Sequence, residues 1–477
     1  MRKKYAGLVL IGLVTWLSAC KPVEPEPSGG TPGSNATTNP NLEVNNWIYD
    51  QMKTYYLWTN QMRSKSSTDQ RLAPDEYFKS ILVEAGTLDR FSWIEKSATE
   101  LTNSLQGRNT VLGIRSTTFF TDPSQTNVAF AVAYALPGSP ADKAGLKRGD
   151  FITAVNGVAL TQENFSSALA PETVTVTLGE FVNGRIVSTN RTLTITKTEV
   201  QTDPVLHASV IDLGTKKVGY LVYLQFLSAY DNKLREVFAQ FKAQGVNELV
   251  LDLRYNGGGF ISSAVTLSSL IVKNLSTNNV MYRDQWNKEI TDFYVARNGP
   301  NFFTKFFNNE PNNLGTLNRV FVLTSRSTAS ASELVMNSLL PYMEVIQIGQ
   351  NTFGKNVGSI TIQDETNPKR WQWGMQPIVL KTVNAQDKSE YGTVNGFAPK
   401  AENVQADNVL PFQPFGSRNE TLLRVALNII QGGPAAVASS RARIRPDQML
   451  PLATPEYLGD NPVVDMKEMW VTGPGKP

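Results

Sequence analysis

The chain has 477 residues, long enough for two or three domains with their own cores. Forty-five Lys and Arg against 42 Asp and Glu leave a net charge of +3, so nothing in the charge calls for a nucleic-acid partner. One cysteine, Cys20, and one histidine, His207, exclude an intramolecular disulfide and a cysteine metal cluster, and a Ser-His-Asp hydrolase would have to use His207. No metal or organic cofactor is implied.

The first twenty residues read MRKKYAGLVLIGLVTWLSAC. Arg2, Lys3 and Lys4 precede an apolar stretch, Ala6 to Trp16, that is short for a membrane span. Leu17-Ser18-Ala19-Cys20 resembles a bacterial lipoprotein box. That resemblance implies a signal peptide over 1–20 and lipidation of Cys20; an ordinary signal peptide ending near a cysteine is the alternative. Several acyl chains, at about 0.8 kcal/mol per buried CH2, hold a protein firmly at a membrane. The expected location is the bacterial cell envelope, lipid-anchored in the outer membrane and facing the periplasm or the outside. Residues 21–41 are rich in Pro, Gly, Ser, Thr and Asn and form a flexible tether.

Val44, Trp47, Ile48, Met52 and Tyr55 recur at helical spacing. APDEYFKSILVEAG predicts a second helix, with Pro74 at its start, Asp75 and Glu76 in its first turn and Gly86 after its end. Residues 42–106 form a small helical domain, expected to be a peripheral cap without chemistry.

From 107 to 198 the period changes to that of strands, in NVAFAVAYAL, TVTVTL and RTLTITKT. Between them Ala141 to Leu146 predicts a short helix and Phe151 to Val155 a strand closed by Asn156-Gly157. The run Gly138-Ser139-Pro140-Ala141 through Gly145-Leu146 to Gly149-Asp150 resembles a PDZ domain. The resemblance implies capture of an extended chain end by strand addition, with the loop at Leu112, Gly113 and Ile114 holding its carboxylate. A small β-domain that only packs is the alternative.

Residues 199–432 alternate strands (VGYLVYL, ELVLDL, RVFVLT, VIQIG) with helices. NKLREVFAQFKAQG places Leu234, Val237, Phe238 and Phe241 on one face and stops at Gly245. Residues 433–477 form a C-terminal tail that looks loosely ordered.

Three stretches of this α/β region carry the chemistry. Ser330 falls where RVFVLT gives way to the helix ASELVMNSLL, a place where backbone amides and the positive helix end face an anion. With Glu333 it also reads as a capping box, which needs no catalysis. Lys355 follows VIQIG in NTFGK, where an isolated lysine is usually a solvated surface charge. Asn256-Gly257-Gly258-Gly259 follows the strand ELVLDL and lets backbone approach a ligand closely, though it lacks the ending of a phosphate loop.

Taken together, Asp252-Leu-Arg-Tyr-Asn-Gly-Gly-Gly259, Thr328-Ala-Ser-Ala-Ser-Glu333 and Gly354-Lys355 resemble the C-terminal processing peptidases, or tail-specific proteases. The resemblance spans most of residues 42–430. It implies a multidomain α+β and α/β protein: a crotonase/ClpP-like protease core, a PDZ-like domain and an N-terminal helical domain. It implies Ser330 as nucleophile and Lys355, 25 residues further on, as base. Lys355 is then expected to be buried beside Ser330, since burial disfavours the charged amine. Gly258 and Ala331 are the expected oxyanion donors. The family often has a glutamine four residues after the base; here that position is Ser359, kept as an accessory member. The activity implied is endopeptidase cleavage of polypeptides with exposed C-termini. A peptide-binding lipoprotein without catalysis and a small-molecule esterase are the competing readings. His207 is expected to pack rather than to catalyse.

Overall fold

The computed structural model describes residues 39–435, the backbone of 458–459, and residues 469–473. Cys20, the signal peptide and most of the tether and tail lie outside the described residues.

The core of the α/β region is a five-stranded sheet in the order Val205–Asp212, Lys217–Tyr223, Glu248–Asp252, Arg319–Thr324, Glu344–Gly349. The first strand is antiparallel to its neighbour and the other three pairings are parallel. Parallel strands are covered on both faces, which is why ELVLD and VFVLT run continuously buried. Side chains alternate between the faces. Leu249, Leu251, Val320 and Val322 meet helices Asp231–Ala243, Ile261–Ile271 and Ala331–Leu339. Val250, Phe321 and Leu323 meet helix Thr421–Ile430 on the other face. Helix Asp231–Ala243 buries Leu234, Val237, Phe238 and Phe241, the face expected from their spacing.

A second sheet runs Gly259–Phe260, Met469–Trp470, Val357–Ser359, Ile378–Asn384, Val280–Trp286, Thr304–Phe306. The end of the tail therefore departs from the loose order expected for it. Met469 and Trp470 form a buried strand inside this sheet.

The β-rich region is an antiparallel sheet in the order Ile114–Phe120, Val128–Ala135, Phe151–Val155, Thr173–Val182, Arg185–Thr196, with Leu458–Gly459 added at the first edge. Asn156 and Gly157 both take positive φ, +52° and +78°, and close the turn after Val155 as expected. The short helix spans Pro140–Lys143, not Ala141 to Leu146, because the Leu146 N–H folds back to the Ala141 carbonyl.

Helix Leu42–Tyr55 shares one apolar cluster with Trp286, Ile290, Val379 and Leu380 of the second sheet and its flank, so the helical region packs onto the core. The second helix stops at Ser80, short of the end expected just before Gly86. The chain is pulled away there: the Val83 N–H donates to the Tyr56 hydroxyl at 3.1 Å, and Glu84 turns to φ +43°. Among the described residues no helix is long and apolar enough to cross a membrane.

Candidate active site

Strand Glu248–Asp252 runs into the glycine loop, and strand Arg319–Thr324 runs into the segment that carries Ser330. Hydrogen bonds stitch the two together. Thr328 Oγ1 donates to the Leu253 carbonyl at 2.8 Å, and the Asn256 carbonyl accepts from the Ala329 N–H and from Ser332 Oγ, both at 3.1 Å. The Asn256 side chain donates to the Tyr223 carbonyl at 2.9 Å, fixing the loop from the neighbouring strand. Gly259 is required at its exit: its φ is +139°, and a Cβ there would lie 2.2 Å from the Phe226 carbonyl oxygen.

Ser330 is fully buried at the start of helix Ala331–Leu339, with φ +65° and ψ −115°. That is unusual for an L-residue and marks a sharp strand-to-helix turn. The capping-box arrangement is present. Its firm half belongs to Glu333, whose Oε2 accepts from the Ser330 N–H at 2.8 Å. The Ser330 hydroxyl is left without a hydrogen-bond partner of standard geometry.

Lys355 is fully buried, with Nζ 4.9 Å from the centre of the Phe91 ring. Its backbone N–H donates to the same Glu333 oxygen, also at 2.8 Å. The other Glu333 oxygen accepts from the Gly354 N–H at 2.7 Å and from the Thr352 hydroxyl. Burial pushes the Glu333 carboxyl up to about 7, against four donors that favour its charged form. The sequence reading saw Glu333 only as a cap and missed this junction. The signal available was its place between two candidate segments.

The helical region, expected to be a peripheral cap, also reaches the site. Asp89 Oδ1 accepts from the N–H groups of Phe91 and Ser92, at 3.0 and 2.9 Å, which sets the turn holding Arg90 and Phe91. Arg90 Nη2 donates to the Gly354 carbonyl, and Phe91 lies against Phe353 with ring centres 6.0 Å apart.

The expected oxyanion pair divides. Ala331 is the first helical residue, where an N–H has no intrahelical acceptor. The Gly258 N–H donates to Asn256 Oδ1 at 2.9 Å, two residues back, and would have to exchange this partner to donate elsewhere. Ser359 is buried, and its hydroxyl donates to the Met469 carbonyl at 3.3 Å. Leu112 and Gly113 are tied to the short helix and its approach through Ala141 and Leu136, whose N–H groups donate to their carbonyls, and Ile114 begins the edge strand. His207 lies between Tyr220 and Phe415, ring centres 5.6 and 6.5 Å away, with its Nε2 2.9 Å from Ser209 Oγ. Burial lowers its pKa.

Behind the glycine loop, Arg254 is fully buried among Asp252, Asp407 and Glu420, at 2.7, 3.1 and 2.7 Å. Arg148, from the β-rich region, enters the same cluster, bonding Glu420 at 3.1 Å and the Tyr255 hydroxyl at 2.8 Å. Among the described residues no group of three acidic, histidine or cysteine side chains is placed to hold a metal.

A peptidase-type α/β core bearing a PDZ unit and a helical N-terminal unit is the class this arrangement defines. The model of peptidase family S41 matches residues 217–371, that of the peptidase S41 N-terminal domain residues 43–93, and that of the PDZ domain residues 132–178. The solved structure of a Bacteroides fragilis protein placed among the S41 proteases is 31% identical at a TM-score of 0.68, covering 81% of this chain and 97% of that one. The chloroplastic C-terminal processing peptidase of Tetradesmus obliquus is 30% identical over 46% of this chain and 47% of its own length. The carboxyl-terminal-processing protease of Picosynechococcus sp. is 28% identical over 47% and 50%. The chain thus spans about half the length of these two curated relatives. The chain belongs to peptidase family S41.

Proposed function

We propose that the chain is a serine endopeptidase that cleaves polypeptides near their C-terminal tails through Ser330 and Lys355. The observation that carries this is the pairing of a buried serine hydroxyl without a partner and a buried lysine, their segments held by one carboxylate. A buried amine is disfavoured in its charged form, and the neutral amine is the form that can take a hydroxyl proton. Ser330 Oγ forms a bond to the peptide carbonyl carbon as its proton passes to Lys355 Nζ. The carbon–nitrogen bond then breaks, and the proton moves on to the leaving amine. Water repeats the sequence on the ester and frees Ser330. The oxyanion is held by the Ala331 N–H and the helix start, with Gly258 joining if its N–H leaves Asn256. The PDZ unit raises the local concentration of a captured tail at the pair.

Cleavage of an unstructured protein with an apolar C-terminal tail, followed by mass spectrometry from pH 6 to 10, tests the reading. Wild type is expected to cut, with a rate that rises through a single ionisation; Ser330→Ala and Lys355→Ala are not. Equal cutting by folded variants overturns the pair. The lipid anchor rests on the lipoprotein-box resemblance alone. Release of a Cys20→Ala variant from membranes tests it, and equal retention sinks it.

A further inference from the structure

The strand Met469–Trp470 lies between the two walls of the candidate site. On one side it pairs in parallel with Gly259–Phe260, the continuation of the glycine loop. On the other, Trp470 pairs in parallel with Ser359, on the strand that leaves Lys355. The Val471 N–H donates to the Ser359 carbonyl at 3.1 Å, and Ser359 Oγ donates to the Met469 carbonyl at 3.3 Å. The two walls are joined through this strand in the sheet order, so taking it out leaves two strand edges facing one gap.

The side chains fit as closely as the backbone. Trp470 is 3% exposed, in edge contact with Phe260 at 4.7 Å between ring centres. Leu101 and Leu105 of helix Ala98–Leu105, with Trp93 beside them, close the pocket. Met469 is buried in the apolar cluster that includes Ala331, the residue after Ser330. At Gly358 a Cβ would meet the Leu380 side chain at 3.0 Å and the Met469 carbonyl oxygen at 3.3 Å. Earlier in the same tail, Leu458–Gly459 adds antiparallel to the PDZ edge at Ser116 and Arg115. Two stretches of the same tail thus add as strands, one at the PDZ edge and one between the glycine loop and the Ser359 strand.

We propose that the gap between Gly259–Phe260 and Val357–Ser359 is a polypeptide-binding slot that takes one extended strand with a bulky apolar side chain in the Trp470 pocket, and that the chain's own residues 469–473 are the built-in ligand that fills it at rest. The proposal deepens the peptidase reading, on which the slot's role as substrate site rests. Ser359 is then a slot residue: its carbonyl and hydroxyl hold the bound backbone. Incoming substrate must displace the tail, so the tail acts as a competitive brake in cis.

The test uses the full-length chain carrying Ser330→Ala, with and without Val471→Pro. Proline removes the N–H that pairs with Ser359. The probe is a fluorescein-labelled acetyl-Met-Trp-Val-Thr-Gly peptide, read by anisotropy. The double variant is expected to bind it at least ten-fold more tightly than Ser330→Ala alone, and a probe with alanine for tryptophan to bind at least ten-fold more weakly. Equal binding to both proteins, with matching thermal unfolding, overturns the proposal. Should Val471→Pro unfold the protein, full-length Trp470→Ala replaces it, with the same expectation. If that variant also unfolds, the strand is part of the structural core and the proposal falls. Binding here needs no hydrolysis. A wild type that never cleaves removes the peptidase reading while the slot stands or falls on the probe.

Discussion

Glu333 Oε2 accepts the backbone N–H of Ser330 and the backbone N–H of Lys355, each at 2.8 Å. The helix start at Ser330 and the loop at Lys355 are separate in sequence and meet on this one oxygen. Its companion oxygen takes Gly354 and Thr352 from the same loop, so the loop cannot shift without breaking charge-assisted bonds.

Glu333→Gln is therefore expected to lower kcat by at least about 100-fold with a smaller effect on KM, since a misplacement of about 1 Å between reacting groups costs that much. The amide offers one oxygen where two were used and turns an NH2 toward donors. A pH measurement separates this positioning role from a packing one. Glu333 titrates near its ordinary 4.5 in the unfolded chain and near 7 when folded. Between those values the folded protein binds more protons, so this group's contribution to stability falls as pH rises from 4.5 to 7 and is flat above. Thermal unfolding across pH 4 to 8 is expected to show that fall in wild type and not in Glu333→Gln. Parallel curves would assign the shift elsewhere.

Ser330 stores strain at the turn that opens its helix. A non-glycine residue at positive φ outside the usual wells costs about 1–3 kcal/mol. A buried hydroxyl without a partner adds a penalty of similar order. Ser330→Ala is expected to lose at least about 10³-fold in activity while its stability stays level or rises. Ser330→Gly is expected to be more stable by about 1 kcal/mol, after its extra unfolded-state freedom is counted. Urea unfolding of the three proteins reads the order directly; a glycine variant less stable than wild type would show that the turn is not strained.

What was legible in the sequence was what repeats at short range. The helical spacing of Leu234, Val237, Phe238 and Phe241, and the unbroken apolar runs of the parallel strands, follow from local periodicity and appear as expected. The segments of Ser330 and Lys355 were legible through motif resemblance, because their spacing in sequence is fixed by one strand and one helix between them. Glu333 showed only its local half: a capping box is a four-residue pattern, and convergence with Thr352 and Gly354 is a tertiary fact. Phe91 and Arg90 meet Lys355 and Gly354 from the far end of the chain, so no window of sequence contains the contact. The strand at Met469–Trp470 is too short for any period. Its one cue was the lone tryptophan of a proline-bearing tail.

Glu420 links three things: it receives the N–H groups of Leu422 and Leu423 at the start of helix Thr421–Ile430, and it binds Arg254 and Arg148. Burial alone would raise the Glu420 and Asp407 carboxyls, but the two guanidinium groups outweigh it and hold both below their usual range. Removing one partner of a buried pair leaves an uncompensated charge, so Glu420→Ala is expected to destabilise by about 3–5 kcal/mol. The sign in pH is opposite to that of Glu333. Depressed carboxylates stabilise above their ordinary pKa, and that stability is lost as pH falls through their folded values. The acid-unfolding midpoint of Glu420→Ala is expected to lie at higher pH than that of wild type. Coincident midpoints would mean that the cluster does not govern acid stability.

Phe91 covers Lys355 Nζ and is held in turn by Phe353 and by the Asp89 turn. Trimming it opens a path for water to an amine that the fold otherwise keeps dry. Phe91→Ala is therefore expected to lower kcat at least about ten-fold, within the range that general-base catalysis supplies. KM for a polypeptide is expected to change little, because the observed contacts of the ring are to Lys355, Arg90 and Phe353. Phe91→Leu keeps an apolar cover of similar volume and is expected to recover most of the rate. Loss of the ring also removes about 2–4 kcal/mol of packing, so the comparison is made well below the unfolding transition of the alanine variant. If Phe91→Ala raises KM and spares kcat, the ring serves the peptide and not the lysine. That result would move this part of the helical region from the base to the slot beside it, where Leu101, Leu105 and Trp93 already stand.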